Sequence, residues 1–299
     1  DLTALFSINA GGRGSHFSYN DNSSFSPRLS TSYRLTDRTT LTGTWGIYHQ
    51  ELPLSLLSAY DDYKRLKTVE AEHYIVGLSH LLRADTRLNI EFYNKEYSDC
   101  PVSPDNPGDF TLDGTLELPY TLPRSGLSSV GEARAKGVEI TVQKKLADGF
   151  YGLAAASLFK SEYTDYTGKW YDRGNDNRYT FSLEGGYRTE EKWDFSFRWL
   201  FAGGRPYTPI DIEASTAANT KITDPSRINQ ERLPEFHSLN IRVDRRFNFD
   251  RTNLIVYLSV WNAYNRENIV SYDWDEIDNR MHKLTQWNIL PIIGVEFEF

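Results

Sequence analysis

The chain has almost none of the residues on which redox and metal chemistry depend. Its 299 residues include a single cysteine, Cys100, which cannot form an internal disulfide. The six histidines are scattered and show neither the HExxH spacing nor any other metal-ligand spacing. We therefore expect neither a metal site nor a cofactor.

Long hydrophobic runs are also missing. The least polar stretch covers residues 149–159, whereas a membrane-spanning helix needs about 18 apolar residues. Lys and Arg number 33 against 41 Asp and Glu, which gives a net charge of −8. Because binding to phosphates needs a basic face, nucleic acid is not expected as a partner.

Aromatic residues, by contrast, are abundant, at 14% of the chain, and many recur at alternate positions. From Trp193 to Phe201 every odd position is aromatic, while three of the four positions between them are polar. From Trp287 to Phe299 seven consecutive odd positions are apolar. Alternation of this kind is typical of strands whose two faces meet different environments.

The alternation predicts about twelve strands, and helical periodicity is nowhere sustained. The predicted strands cover residues 2–10, 25–35, 38–49, 68–82, 86–97, 133–146, 149–161, 178–188, 192–203, 234–249, 252–265 and 284–299.

The connections between these strands alternate in length. Short turns are predicted at 36–37, 83–85, 147–148, 189–191 and 250–251, and long polar connections at 11–24, 50–67, 98–132, 162–177, 204–233 and 266–283. In an up-and-down antiparallel sheet all short turns then lie at one end. This asymmetry is typical of a bacterial outer-membrane β-barrel, with short periplasmic turns and long extracellular loops. A soluble β-sandwich also alternates, but it does not require such segregation.

Five local patterns resemble the TonB-dependent outer-membrane receptors, in that family's order. The segment from Ser26 to Gln50 resembles a proline-initiated strand pair ending in Tyr-x-Gln, and AKGVEITVQKKL, from Ala135, resembles a Gly-x-Glu strand. GGRPYTP, from Gly203, is similar to an element of the Bacteroidetes branch. LPEFHSLNIRVDRRF with SVWNAYNREN resembles the last strands, and the chain ends on an aromatic residue.

The resemblance implies an all-β, transmembrane, antiparallel up-and-down barrel. A barrel of this class has about 22 strands and a plugged lumen. We therefore expect residues 1–299 to be the C-terminal portion of the barrel, with the plug domain and the N-terminal strands absent from this chain. The resemblance further implies binding and active import of a scarce nutrient, such as a siderophore, cobalamin, glycan or peptide, and no enzymatic activity.

The same resemblance implies several partners. These are outer-membrane lipid and lipopolysaccharide, the TonB complex acting through the missing N-terminal part, the barrel assembly machinery and a surface lipoprotein. Phe297 and Phe299 would form the signal that the assembly machinery recognises.

Ligand contacts are expected on the long loops, where clustered aromatic rings can stack on a ligand at little entropic cost. The candidate ligand-binding residues are Tyr60, Tyr63, Tyr163, Tyr166, Trp170, Tyr171, Tyr272 and Trp274. Acidic residues in the same loops could instead hold Ca²⁺, or the loops could be plain hydrated surface.

Two other classes of barrel remain open at this point. A self-contained small barrel could be a lipase- or protease-type enzyme, although no Gly-x-Ser-x-Gly elbow is present. It could also be an autotransporter or a passive pore.

Overall fold

The computed structural model describes residues 5–108, 110–114 and 126–299. Twelve antiparallel strands of this part of the chain form one continuous sheet, in which each strand pairs with the next along the sequence. The twelve predicted strands are confirmed, although residues 2–4 of the first lie outside the described residues.

In chain order the strands are β1 (Phe6–Phe17), β2 (Asn22–Thr36), β3 (Thr39–Gln50), β4 (Val69–Arg83), β5 (Thr86–Val102), β6 (Ser128–Ala147), β7 (Phe150–Thr164), β8 (Trp170–Asp172), β9 (Tyr179–Arg188), β10 (Trp193–Ala202), β11 (Pro206–Tyr207), β12 (Glu231–Arg232), β13 (Phe236–Asn248), β14 (Asn253–Trp261), β15 (Ile269–Asp275), β16 (Arg280–Thr285) and β17 (Leu290–Glu298). The five short strands β8, β11, β12, β15 and β16 belong to the long connections.

The long connections also carry short helical segments. These are α1 (Leu54–Leu57), α2 (Thr111–Gly114), α3 (Ile212–Ala218) and the 3-10 turns Asp61–Arg65 and Pro225–Arg227. Among the described residues no helix is long and apolar enough to span a membrane.

The strand register gives the sheet one apolar and one polar face. Phe197 of β10 lies opposite Ile241 of β13 on one side and Gly185 of β9 on the other. Ser196, its neighbour along the strand, lies opposite Arg242, on the other face of the sheet. We call these the apolar face and the polar face, and the first is the surface predicted to meet lipid.

The five predicted short turns all lie at one end of the sheet. The turn between β6 and β7 has only two residues, Asp148 at φ 52° and Gly149 at φ 79°. Two successive residues with positive φ form the type I′ turn that joins twisted antiparallel strands most directly. Asp tolerates this backbone better than most residues, and glycine adopts it freely.

One predicted connection is wrong. Residues 11–24 were expected to form a long loop, but β1 and β2 stay paired until Phe17 faces Asn22. This part of the hairpin is held by polar contacts such as that between Ser15 Oγ and Ser24 Oγ, at 2.8 Å. Because small and polar residues occupy both faces here, the alternation that marks a strand disappears.

The sheet is open at both edges. Within the described residues β1 pairs only with β2, and β17 pairs only with β14. A barrel wall in hydrocarbon needs every backbone N–H and C=O group paired, so these two edges need further strands.

We expect a charge at Phe197 to destabilise the barrel, because this side chain lies mid-strand on the apolar face. Phe197→Lys in the intact protein should lower the free energy of unfolding by about 2–4 kcal/mol, as cations do at the centre of a bilayer. The matched control is Ser196→Lys, one residue away on the polar face. Denaturant unfolding in lipid vesicles measures both, and equal losses would contradict the assignment of the two faces.

Candidate functional site

The polar face carries ion pairs between neighbouring strands, from the middle of the strands to the short-turn end. Arg198 Nε lies 2.9 Å from Glu184 Oε1, and Arg188 Nη2 lies 2.8 Å from Asp194 Oδ2. A recess of about 380 Å³ in this region is lined by six charged residues out of ten, among them Arg242 and Asp244. Such a surface is suited to water and polar contacts, which is what the inside of a plugged barrel offers.

At the long-loop end the connections pack into an apolar core of their own. Tyr63 and Tyr163 are fully buried in it, together with Leu57. The Tyr163 ring stacks on Phe110 with a centroid distance of 4.7 Å, and its hydroxyl donates to the Pro107 carbonyl at 2.9 Å. Burial raises the pKa of Tyr63 to about 12. These two rings therefore hold the loops together.

Two further candidates pack against this core. The Tyr60 ring packs edge-on against the Tyr63 ring, with a centroid distance of 5.1 Å. The Tyr171 hydroxyl donates to Asp165 Oδ2 at 3.1 Å, and Asp165 also accepts hydrogen bonds from the amides of Thr167 and Lys169. Burial opposes ionisation of Asp165, but these hydrogen bonds outweigh it and lower its pKa. Asp165 thus organises the turn between β7 and β8.

Tyr166 and Trp170 are the exposed candidates of this hairpin. Trp170 pairs with Thr164, the residue after Tyr163, so its side chain lies on the opposite side of the sheet from Tyr163. There its ring lies 4.2 Å from the Arg134 guanidinium. Trp170 therefore lies on the same side of the sheet as the apolar face, in a recess whose other lining residues include Glu96 and Glu132.

Tyr272 and Trp274 lie in the hairpin of β15 and β16. The Tyr272 ring packs against the Tyr207 ring, with a centroid distance of 5.3 Å. The buried Trp274 donates a hydrogen bond from Nε1 to Asn279 Oδ1 at 3.2 Å. Asn279 Nδ2 in turn donates to the Thr216 carbonyl of α3 at 3.1 Å. The hairpin is thus docked on the preceding long loop.

The structure therefore brings four of the predicted residues, Tyr60, Tyr63, Tyr163 and Tyr171, into one cluster and leaves the rest apart from it. A ligand contact by any of the predicted residues stays a prediction. The contacts described above show that most of these side chains pack against other residues of the loops.

Arg232 joins two of the long loops. Its guanidinium donates to Asp172 Oδ2 at 2.8 Å, to Asp176 Oδ2 at 2.7 Å and to the Gly204 carbonyl at 2.9 Å. Gly204 lies so close to Leu233, at the other end of the same loop, that a Cβ there would stand 1.7 Å from the Leu233 carbonyl oxygen. At Gly203 a Cβ would stand 2.2 Å from the carbonyl oxygen of Asn177, so this glycine allows the loop to approach the preceding long loop.

The contacts of Arg232 also involve acidic loop residues, which were considered above as possible ligands of Ca²⁺. Asp172 and Asp176 are ion-paired with Arg232, and Asp172 also with Lys160. Burial opposes ionisation of Asp172, but Lys160 and Arg232 outweigh it and lower its pKa. Across the described ranges no group of three or more His, Cys, Asp or Glu side chains is arranged to hold a metal ion.

A second recess, of about 370 Å³, lies at the long-loop end of β10, β13, β14 and β17. It holds two exposed indole rings, those of Trp261 and Trp287. Its other lining residues are Leu200, Phe236, Ser238, Asn240, Asn262, Thr285, Gln286, Asn288 and Leu290. We call it the tryptophan recess.

Three asparagines close the base of the loop that carries the tryptophan recess. Asn262 donates from Nδ2 to the carbonyls of Arg266, at 2.8 Å, and Trp287, at 3.3 Å. Asn265 Oδ1 accepts from the Ile289 amide at 2.9 Å. Asn268 accepts from the amide of His237 and donates to its carbonyl, at 3.1 and 3.0 Å. The NAYNREN segment therefore fixes where the two indoles stand.

Sequence reasoning missed the tryptophan recess because both indoles stand at the ends of the loop rather than within it. A signal was present in the repeated Trp-Asn dipeptide, at Trp261–Asn262 and Trp287–Asn288. It could be found by looking for aromatics beside loop-closing asparagines.

Replacing Asn268 should loosen this loop. The side chain is buried, and Asn268→Ala leaves the two backbone groups of His237 unpaired, which costs about 1–3 kcal/mol. Asn288→Ala is the control, since Asn288 is exposed and its amide makes no hydrogen bond among the described residues. Proteolysis of residues 269–285 in the intact protein should be faster only in Asn268→Ala. Equal rates would contradict the assigned role.

Comparison with solved structures gives the same fold. The ferric enterobactin receptor PfeA of Pseudomonas aeruginosa is 15% identical, with a TM-score of 0.68 over 99% of this chain and 43% of its own. The outer-membrane transporter YddB of Escherichia coli is 12% identical, with a TM-score of 0.68 over 98% of this chain and 43% of its own. The ferric yersiniabactin receptor FyuA of Yersinia pestis is 15% identical, with a TM-score of 0.61 over 99% and 43%.

This chain thus spans less than half the length of these receptors. No curated protein sequence matches it. The family model described as TonB dependent receptor-like, beta-barrel, matches residues 1–263. Because that match covers most of the chain, the protein belongs to the TonB-dependent receptor β-barrel family and is located in the outer membrane.

Proposed function

We propose that residues 1–299 form the C-terminal portion of the barrel of a receptor that binds a scarce nutrient and actively imports it. The family consists of transporters rather than enzymes. The observation that carries the proposal is the open sheet, whose edges at β1 and β17 need partners in hydrocarbon. Further strands and a plug from the rest of the protein would close it, which a self-contained small barrel would not require.

The partners follow from the faces of the sheet. Its apolar face would meet outer-membrane lipid, and the residues above it would meet lipopolysaccharide. The TonB complex would act through the part of the receptor outside this sequence. The barrel assembly machinery would recognise Phe297 and Phe299, whose rings are exposed. A surface lipoprotein would bind to the surface that the packed long loops form.

The nutrient would enter from the long-loop end. Siderophore, cobalamin, glycan and peptide are all candidates for a receptor of this kind. The two ferric siderophore receptors and the transporter named above share the fold with this chain at 12–15% identity, and that likeness extends to the fold alone.

Accumulation of labelled nutrients in cells tests the proposal. Cells carrying the intact receptor should accumulate one of four probes: a ferric siderophore, cobalamin, a neutral oligosaccharide or a peptide. Deletion of the receptor and deletion of TonB should each abolish that accumulation, because opening of the plug depends on TonB. Accumulation that persists without TonB would instead favour a passive pore.

A further inference from the structure

The tryptophan recess differs from the rest of the polar face in its charge. None of its eleven lining residues is Asp, Glu, Lys, Arg or His. The recess near the short-turn end, on the same face, has six charged residues out of ten. A ligand with a net charge would lose hydration in the tryptophan recess and gain no counter-charge, which is costly. An uncharged ligand meets no such penalty.

The groups that the recess does offer are of two kinds. The indole rings of Trp261 and Trp287 are 49% and 75% exposed within residues 1–299, so this part of the receptor covers neither ring. The side-chain amides of Gln286 and Asn288 are exposed and have no hydrogen-bond partner among the described residues. Flat apolar surfaces beside paired donors and acceptors match a molecule with C–H faces and a rim of hydroxyl groups.

The space suits an extended ligand. A neighbouring recess of about 320 Å³ shares Leu200 and Phe236 with the tryptophan recess, and Glu139 is its one charged lining residue. Together the two form a largely uncharged strip across the polar face, from β6 to β17. Recesses of 300–1,000 Å³ are the usual size for sites that enclose a small ligand.

The recess is also held in place. Asn262 has φ 50° and ties the end of β14 to the Trp287 carbonyl, while Asn265 fixes the amide of Ile289 two residues further on. Because the loop base is already ordered, little freedom of the two indoles would be lost on binding. This favours a binding surface over a merely exposed pair of rings.

We propose that the tryptophan recess binds an uncharged oligosaccharide, which stacks on Trp261 and Trp287 and hydrogen-bonds to Gln286 and Asn288. This inference rests on the proposed import function and names the class of its substrate. It places recognition at the ends of the last long loop.

Binding to the purified intact receptor tests the inference, with a panel of uncharged oligosaccharides of three to seven units as probes and calorimetry as the readout. Trp261→Ala and Trp287→Ala should each weaken binding at least tenfold. Trp193→Ala is the matched control, since Trp193 is exposed on the apolar face far from the recess, and it should leave affinity unchanged. Asn288→Ala should weaken binding about threefold to tenfold without changing the melting temperature.

The outcomes separate the inference from the proposed function. Oligosaccharide binding that is lost in both tryptophan variants and kept in Trp193→Ala supports it. If no oligosaccharide binds while a ferric siderophore or a peptide accumulates through TonB, the inference is overturned and the import function stands. Oligosaccharide binding that survives both substitutions also overturns it. If no probe accumulates through TonB, the import function itself fails.

Discussion

The rest of the structure depends on one constraint, that backbone N–H and C=O groups in hydrocarbon must be paired within the protein. A chain without long apolar runs can meet it only by pairing strands side by side. The twelve strands do so in sequence order, each joined to the next on alternate ends by a short turn or a long loop. The unpaired edges of β1 and β17 are the places where this sequence alone does not satisfy the constraint.

The same constraint explains what could be predicted from the sequence. Between Trp193 and Phe201 one side chain meets lipid and the next meets the polar interior, so apolar and polar residues alternate in the sequence. Above the membrane both faces are wet, and the pattern vanishes although the strands continue. This is why the paired segment that ends at Phe17 and Asn22 was mistaken for a loop.

The candidate site was harder to predict because an aromatic ring in a loop can serve packing as well as binding. Tyr63 and Tyr163 are buried in the loop core, which sequence position alone does not reveal. Trp261 and Trp287 look like ordinary strand-end residues until the loop-closing asparagines are seen in three dimensions. Long-range contacts, rather than local pattern, decide which rings remain available to a ligand.

The most direct test is to measure which side chains of β10 face lipid and which face the interior of the barrel. Single cysteines placed in turn at residues 193–201 of the intact receptor, with Cys100 replaced by serine, can be labelled in outer membranes with a membrane-impermeant reagent. We expect labelling with a period of two, high at positions 194, 196 and 198 and low at 193, 195, 197 and 199. Uniform labelling, or the opposite phase, would contradict a barrel wall with its aromatic face in lipid.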